Sequence, residues 1–157
     1  MRFSTTAACA AWLALIVGCA RTSEPTTNAF KTSTDDIEYL MHYVLEPSAE
    51  KIWDSAGSIV TAAGEETLHP TTEEGWIAIE HAAAVISESG NLLMIPGRAA
   101  PAPDWTEYSQ GLVDTGKTVL EAAKAKDPDA LFETGGHLYN VCVACHQVYW
   151  REAPQRP

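Results

Sequence analysis

From Asp35 onward apolar residues recur at spacings of three and four: Ile37, Leu40, Met41, Val44, Leu45, Ala49, Ile52, Trp53, Ala56, Ile59, Val60 and Ala63. That period gathers them on one side of an α-helix, so the pattern predicts one long amphipathic helix over 35–63, with Ser33 or Thr34 as its cap. Pro47 falls inside it and lacks the N–H that would bond the carbonyl of Tyr43, which predicts a kink rather than a stop. Thr71-Thr72-Glu73-Glu74 reads as a capping box opening a second helix over 72–92, with Trp76, Ile79, Ala83 and Ile86 on its apolar side. The stretch PGRAAPAPD, residues 96–104, ends that helix. A third opens at Asp104 and carries Trp105, Tyr108, Leu112, Val119 and Ala123 on one face. Asp127-Pro128 supplies an N-cap followed by proline at the first helical position, and the fourth helix it starts bears Leu131, Gly135, Leu138, Cys142, Cys145, His146 and Tyr149 in one stripe. No segment alternates as a strand would. The expectation is an all-α domain over 35–152, an antiparallel four-helix bundle with short to medium connections, and a tail at 153–157.

The first 18 residues follow a different pattern. Arg2 precedes the apolar run AACAAWLALIVG, and Gly18 stands before Cys19, the arrangement of an export signal. The run is too short and too early for a transmembrane span. Ile16-Val17-Gly18-Cys19 resembles a bacterial lipobox with Ile in place of the commoner Leu, which implies that Cys19 becomes an acylated N-terminus. An ordinary secretory peptide with an incidental Cys is the plainer alternative. Residues 19–34, rich in Thr and Ser, read as a flexible tether.

Composition narrows the partners. A chain of 157 residues that is 46% hydrophobic and 20% charged suits one domain with a moderate core. Its formal net charge of −11 argues against nucleic acid and against electrostatic attachment to anionic lipid. A charge-steered partner would present a basic face.

The chemistry lies near the C-terminus, in Cys142-Val143-Ala144-Cys145-His146. Residues at i, i+3 and i+4 of a helix share a face, so two thiols and an imidazole converge there. That convergence suits covalent haem, with two thioethers on the porphyrin edge and the adjacent His on the iron. C-x-x-C-H arises by chance in about one chain per thousand of this composition, and export favours haem attachment. Two other readings compete. Structural zinc needs four ligands, and no second C-x-x-C or H-x3-5-H occurs. A thioredoxin-like dithiol belongs at a helix start after a strand, whereas this pair lies deep in a helix.

A C-x-x-C-H motif on the last helix of a four-helix bundle resembles the class II c-type cytochromes, the cytochrome c-prime family. The resemblance covers about residues 35–151, and its one highly specific motif is the pentapeptide at 142–146. Class I cytochromes c differ, with the motif near the N-terminus and a Met ligand after it; here 11 residues follow His146 and none is Met. The resemblance implies one covalent haem c, thioethers at Cys142 and Cys145, and His146 as the proximal ligand. It places the distal face on the first helix, where Met41 is the candidate sixth ligand or distal residue, His42 its rival, and Met94 a more distant option. Core packing is the plain reading of Met41. Family members commonly carry a basic residue four positions after the proximal His; Trp150 stands there and Arg151 follows. Arg98 and Arg151 are candidates to pair with haem propionates. His69, His81 and His137 read as surface or helix-face residues.

The function so implied is not enzymatic. It is electron transfer by a lipid-anchored protein on the periplasmic side of a bacterial membrane, the outer one favoured by Ala20 after Cys19. Its partners would be a basic-faced redox protein, the membrane through the N-terminal lipid, and a second copy of the chain in a homodimer. An open sixth position would instead make it a five-coordinate binder of NO or CO.

Overall fold

The computed structural model describes residues 32–33, 36–100 and 102–150. The export signal, Cys19, most of the tether, Arg151 and the tail lie outside these residues. The described chain is mostly helical with a small two-stranded sheet.

The first helical stretch has three parts: α1 (Ile37–Leu40), a π-turn over Met41–Leu45, and α2 (Glu46–Trp53). Its cap is Asp36 rather than Ser33 or Thr34; the Asp36 carboxylate accepts the Tyr39 N–H at 2.6 Å. The kink expected at Pro47 takes the form of the π-turn. With no N–H at Pro47 to hold the ordinary ladder, the Glu46 N–H reaches back five residues to the Met41 carbonyl. The wider turn inserts about one residue into the α register, a rotation of about 100°. The buried line accordingly runs Leu40, Leu45, Ala49, Ile52, with a step of five across the π-turn. Leu40 is 3% exposed, while its neighbour Met41 sits at the edge of the core.

The stretch ends at Trp53, ten residues before the expected limit. Asp54 closes it, and Gly57 at φ 86° turns the backbone where a helix cannot follow. Residues 58–67, expected to be helix and connection, form a hairpin. β1 (Ser58–Thr61) pairs antiparallel with β2 (Gly64–Thr67), Ser58 opposite Thr67 and Thr61 opposite Gly64. All eight strand residues are exposed. Alternation is a signature of one buried face, and this hairpin buries neither.

α3 (Glu73–Leu93) starts where expected, with the Thr72 hydroxyl accepting the Gly75 N–H at 3.1 Å. α4 (Pro103–Ala125) runs back along it. Lys126 pairs with Glu73 at one end, Ser87 Oγ donates to the Val113 carbonyl at 3.1 Å midway, and Trp105 Nε1 donates to the Leu93 carbonyl at 2.8 Å at the other. Two glycines permit the close approach: a methyl group at Gly90 would lie 2.5 Å from the Ser109 carbonyl oxygen, and one at Gly116 would lie 2.6 Å from the Ser87 nitrogen. α4 ends in a left-handed Lys126, φ 53°, whose N–H and that of Asp127 turn back to the carbonyls of Ala122 and Ala123. Asp127 then caps α5 (Pro128–Tyr149), its carboxylate accepting the N–H groups of Asp129 and Ala130 at 3.0 Å. The connection therefore has little slack. Ile52, Ile79, Ile86, Val119, Leu131 and Leu138 are fully buried where the helices meet, each stabilising the fold by about 2 kcal/mol. α5 packs on α4 and α2, and the π-turn packs on α3.

Candidate functional site

α5 changes character along its length. In its first half Leu131, Gly135 and Leu138 point inward and are buried, and Trp53 Nε1 donates to the Gly135 carbonyl at 3.0 Å. The inner line continues through Cys142, Cys145 and Tyr149. From Val141 to His146, however, all six residues are partly exposed. At full helical periodicity the inward members of such a run would be buried. The protein thus leaves the motif half covered at the end of the molecule where α5 stops and α4 begins.

Both thiols are free. Cys142 packs against the rim of the core. Burial pushes its thiol up to about 11, with the neighbouring Cys145 adding to the effect and a backbone hydrogen bond opposing it. Burial also raises Cys145. Both shifts run opposite to the lowered value that makes a reactive thiolate in a redox dithiol. Burial lowers His146, keeping the imidazole neutral, the form in which it can ligate a metal. Neither ring nitrogen of His146 has a hydrogen-bond partner among the described residues, and the exposed Trp150 stands edge-on to the ring, centroids 4.9 Å apart. No group of three or more His, Cys, Asp or Glu side chains among the described residues is placed to hold a metal ion.

Tyr149, one turn beyond His146, was visible in the sequence only as a member of the apolar stripe. Its ring is wedged edge-on between Trp105, 4.9 Å away, and Tyr108, 6.3 Å away. Its hydroxyl is buried with no hydrogen-bond partner among the described residues. Burial of the hydroxyl raises its ionisation, and the charges of Asp104, Cys145 and Tyr108 add to the shift. The phenol therefore keeps its hydrogen at neutral pH and remains a donor.

The other sequence candidates are dispersed. Met41 opens the π-turn, which packs on α3. His42 lies on the exposed side of the same turn, bonded to Glu46 at 2.7 Å with Glu38 at 3.8 Å. Arg98 donates from Nη1 to the Leu92 carbonyl at 3.0 Å, closing the end of α3 beside Met94. His81 and His137 are exposed, and His69 is half-buried. An open groove of about 450 Å3 lies along the first half of α5, away from the motif, lined by Trp53, Ala56, Phe132, Gly136 and Tyr139 among others.

The residues at the motif fit a covalent haem: two protonated thiols and a neutral imidazole share one half-covered face, and a buried hydroxyl beside them lacks an acceptor among the described residues. Comparison of the chain with protein-family models, curated proteins and solved structures returned no match.

Proposed function

We propose that the chain is an exported, lipid-anchored electron carrier of the class II c-type cytochrome kind, an antiparallel four-helix bundle holding one haem c on its last helix. The observation that carries this reading is the loss of cover over 141–146, where Cys142, Cys145 and His146 share a face of α5. Cys142 and Cys145 would hold the haem through thioethers, and neutral His146 would be a ligand to its iron. The haem contributes an iron that cycles between two oxidation states. The chain's part is to fix the porphyrin edge through two thioethers, hold the imidazole, and shield one face with the core around Leu138.

In this reading Met41 fills the sixth position, and Arg98 pairs with a propionate. A second reading, an open iron that binds NO or CO, draws support from one observation: Leu40, not Met41, occupies the buried register of the first stretch.

The test is expression of the full chain in a host with cytochrome maturation. Colour that survives acid-acetone extraction supports the proposal, and a colourless protein refutes it. Ferric and ferrous spectra with and without CO then separate the two readings. An unchanged ferric spectrum in Met41→Ala excludes Met41 as the ligand.

A further inference from the structure

We infer that the Tyr149 hydroxyl is a binding residue for the bound group, donating its hydrogen bond to a propionate carboxylate of the haem held by Cys142 and Cys145. The inference rests on the haem reading and adds a contact that the C-x-x-C-H motif does not specify. A buried hydroxyl without a partner is destabilising, so such a group in a folded protein calls for an acceptor. Tyr149 follows Cys145 by four residues and His146 by three, which sets it on the motif's side of α5. Trp105 and Tyr108 grip its ring edge-on, at 4.9 and 6.3 Å. These two contacts restrain the ring that carries the hydroxyl.

The acceptor follows by elimination. No described protein group accepts from the hydroxyl. The Asp104 carboxylate is near enough to act on it electrostatically but makes no hydrogen bond to it. On a porphyrin the strong acceptors are its two propionates, since the ring nitrogens are taken by iron and the vinyl groups by the thiols. Tyr149 is therefore a binding residue that would hold a propionate and contribute nothing to covalent attachment.

The experiment compares three mature holoproteins, the natural chain, Tyr149→Phe and Tyr108→Phe, by resonance Raman spectroscopy of the propionate bending bands in H2O and D2O. Phe keeps the ring and its packing, and Tyr108→Phe controls for disturbance of the aromatic cluster. The expected result is a propionate band that shifts in D2O in the natural protein and in Tyr108→Phe, and that moves and loses its D2O sensitivity in Tyr149→Phe. All three keep their haem through acid-acetone extraction. If the band stays in place in Tyr149→Phe while the haem is covalently held, the inference is overturned and the haem reading stands; that is also the outcome if Tyr149 bonds Asp104 instead. If the natural protein carries no covalent haem, both fall.

Discussion

Replacing Gly116 by Ala sets two effects of opposite sign against each other at one site. In a helix interior Ala is favoured over Gly by about 1 kcal/mol. At Gly116, however, the new methyl carbon would lie 2.6 Å from the backbone nitrogen of Ser87, 2.8 Å from its Cα and 2.9 Å from its Cβ. Two of these atoms belong to the backbone of α3, so rotation of a side chain cannot relieve the contact. α3 and α4 must separate by about 1 Å, an overpacking cost of about 1–3 kcal/mol, and the bond from Ser87 Oγ to the Val113 carbonyl stretches from 3.1 Å, with about 1 kcal/mol at stake. The net expectation is destabilisation by about 1–3 kcal/mol. Gly136→Ala supplies the reference: Gly136 is in the interior of α5, exposed, and a methyl group there meets nothing within 4 Å, so this variant gains about 0.5–1 kcal/mol. Urea unfolding followed by far-ultraviolet circular dichroism reads the difference as midpoints displaced in opposite directions. Equal stabilisation in the two variants would refute the close approach of α3 and α4.

Ser89 is 0% exposed and its hydroxyl has no partner among the described residues, so Ser89→Ala should raise the urea midpoint by about 1 kcal/mol of stability. In the haem-free chain the raised Cys142 pKa makes the fold sensitive to alkali. The folded state disfavours the thiolate, so the stabilisation is complete below the ordinary value of 9.0 and is lost as pH climbs toward about 11. About two pH units correspond to ~3 kcal/mol; Cys142→Ala should flatten that part of the stability profile, and an unchanged profile counts against the burial of this thiol. Trp105→Phe removes the donor to the Leu93 carbonyl and should lower stability by about 1–3 kcal/mol in the same assay.

The elements legible in the sequence are those whose signals are local and physically strong. Thr72 and the Asp127-Pro128 pair mark helix starts because a side-chain oxygen and a preset φ act within one turn, and α3 and α5 begin there. The stripe through Leu131, Leu138 and Cys142 likewise marks the motif's face. The hairpin was not legible. Ile59 and Val60 continued the helical spacing, and strands exposed on both sides carry no alternation to contradict it; the signal in hindsight is Gly57 and Gly64, both at positive φ. Nor was the end of the buried line at Leu40 legible, because a fixed period of 3.6 assumes an unbroken ladder and Pro47 widens it. The predicament of the Tyr149 hydroxyl depends on Trp105 and Tyr108, more than 40 positions earlier, and no pattern within one helix reports that.

The step of five between Leu40 and Leu45 also bears on how such a protein could change over time. Because the π-turn accommodates one additional residue, loss of a single codon between Met41 and Leu45 would restore the ordinary ladder and keep Leu40 inward, now four positions before Leu45. Tightening the turn into regular helix at its present length would instead rotate everything before it by about 100° and bring Met41 to that inward position. A thioether sulfur would then replace a branched hydrocarbon at the edge of the core without a substitution at either residue. The side chain that the first helical stretch offers to the interior is therefore set by the hydrogen-bond ladder of one turn as much as by residue identity.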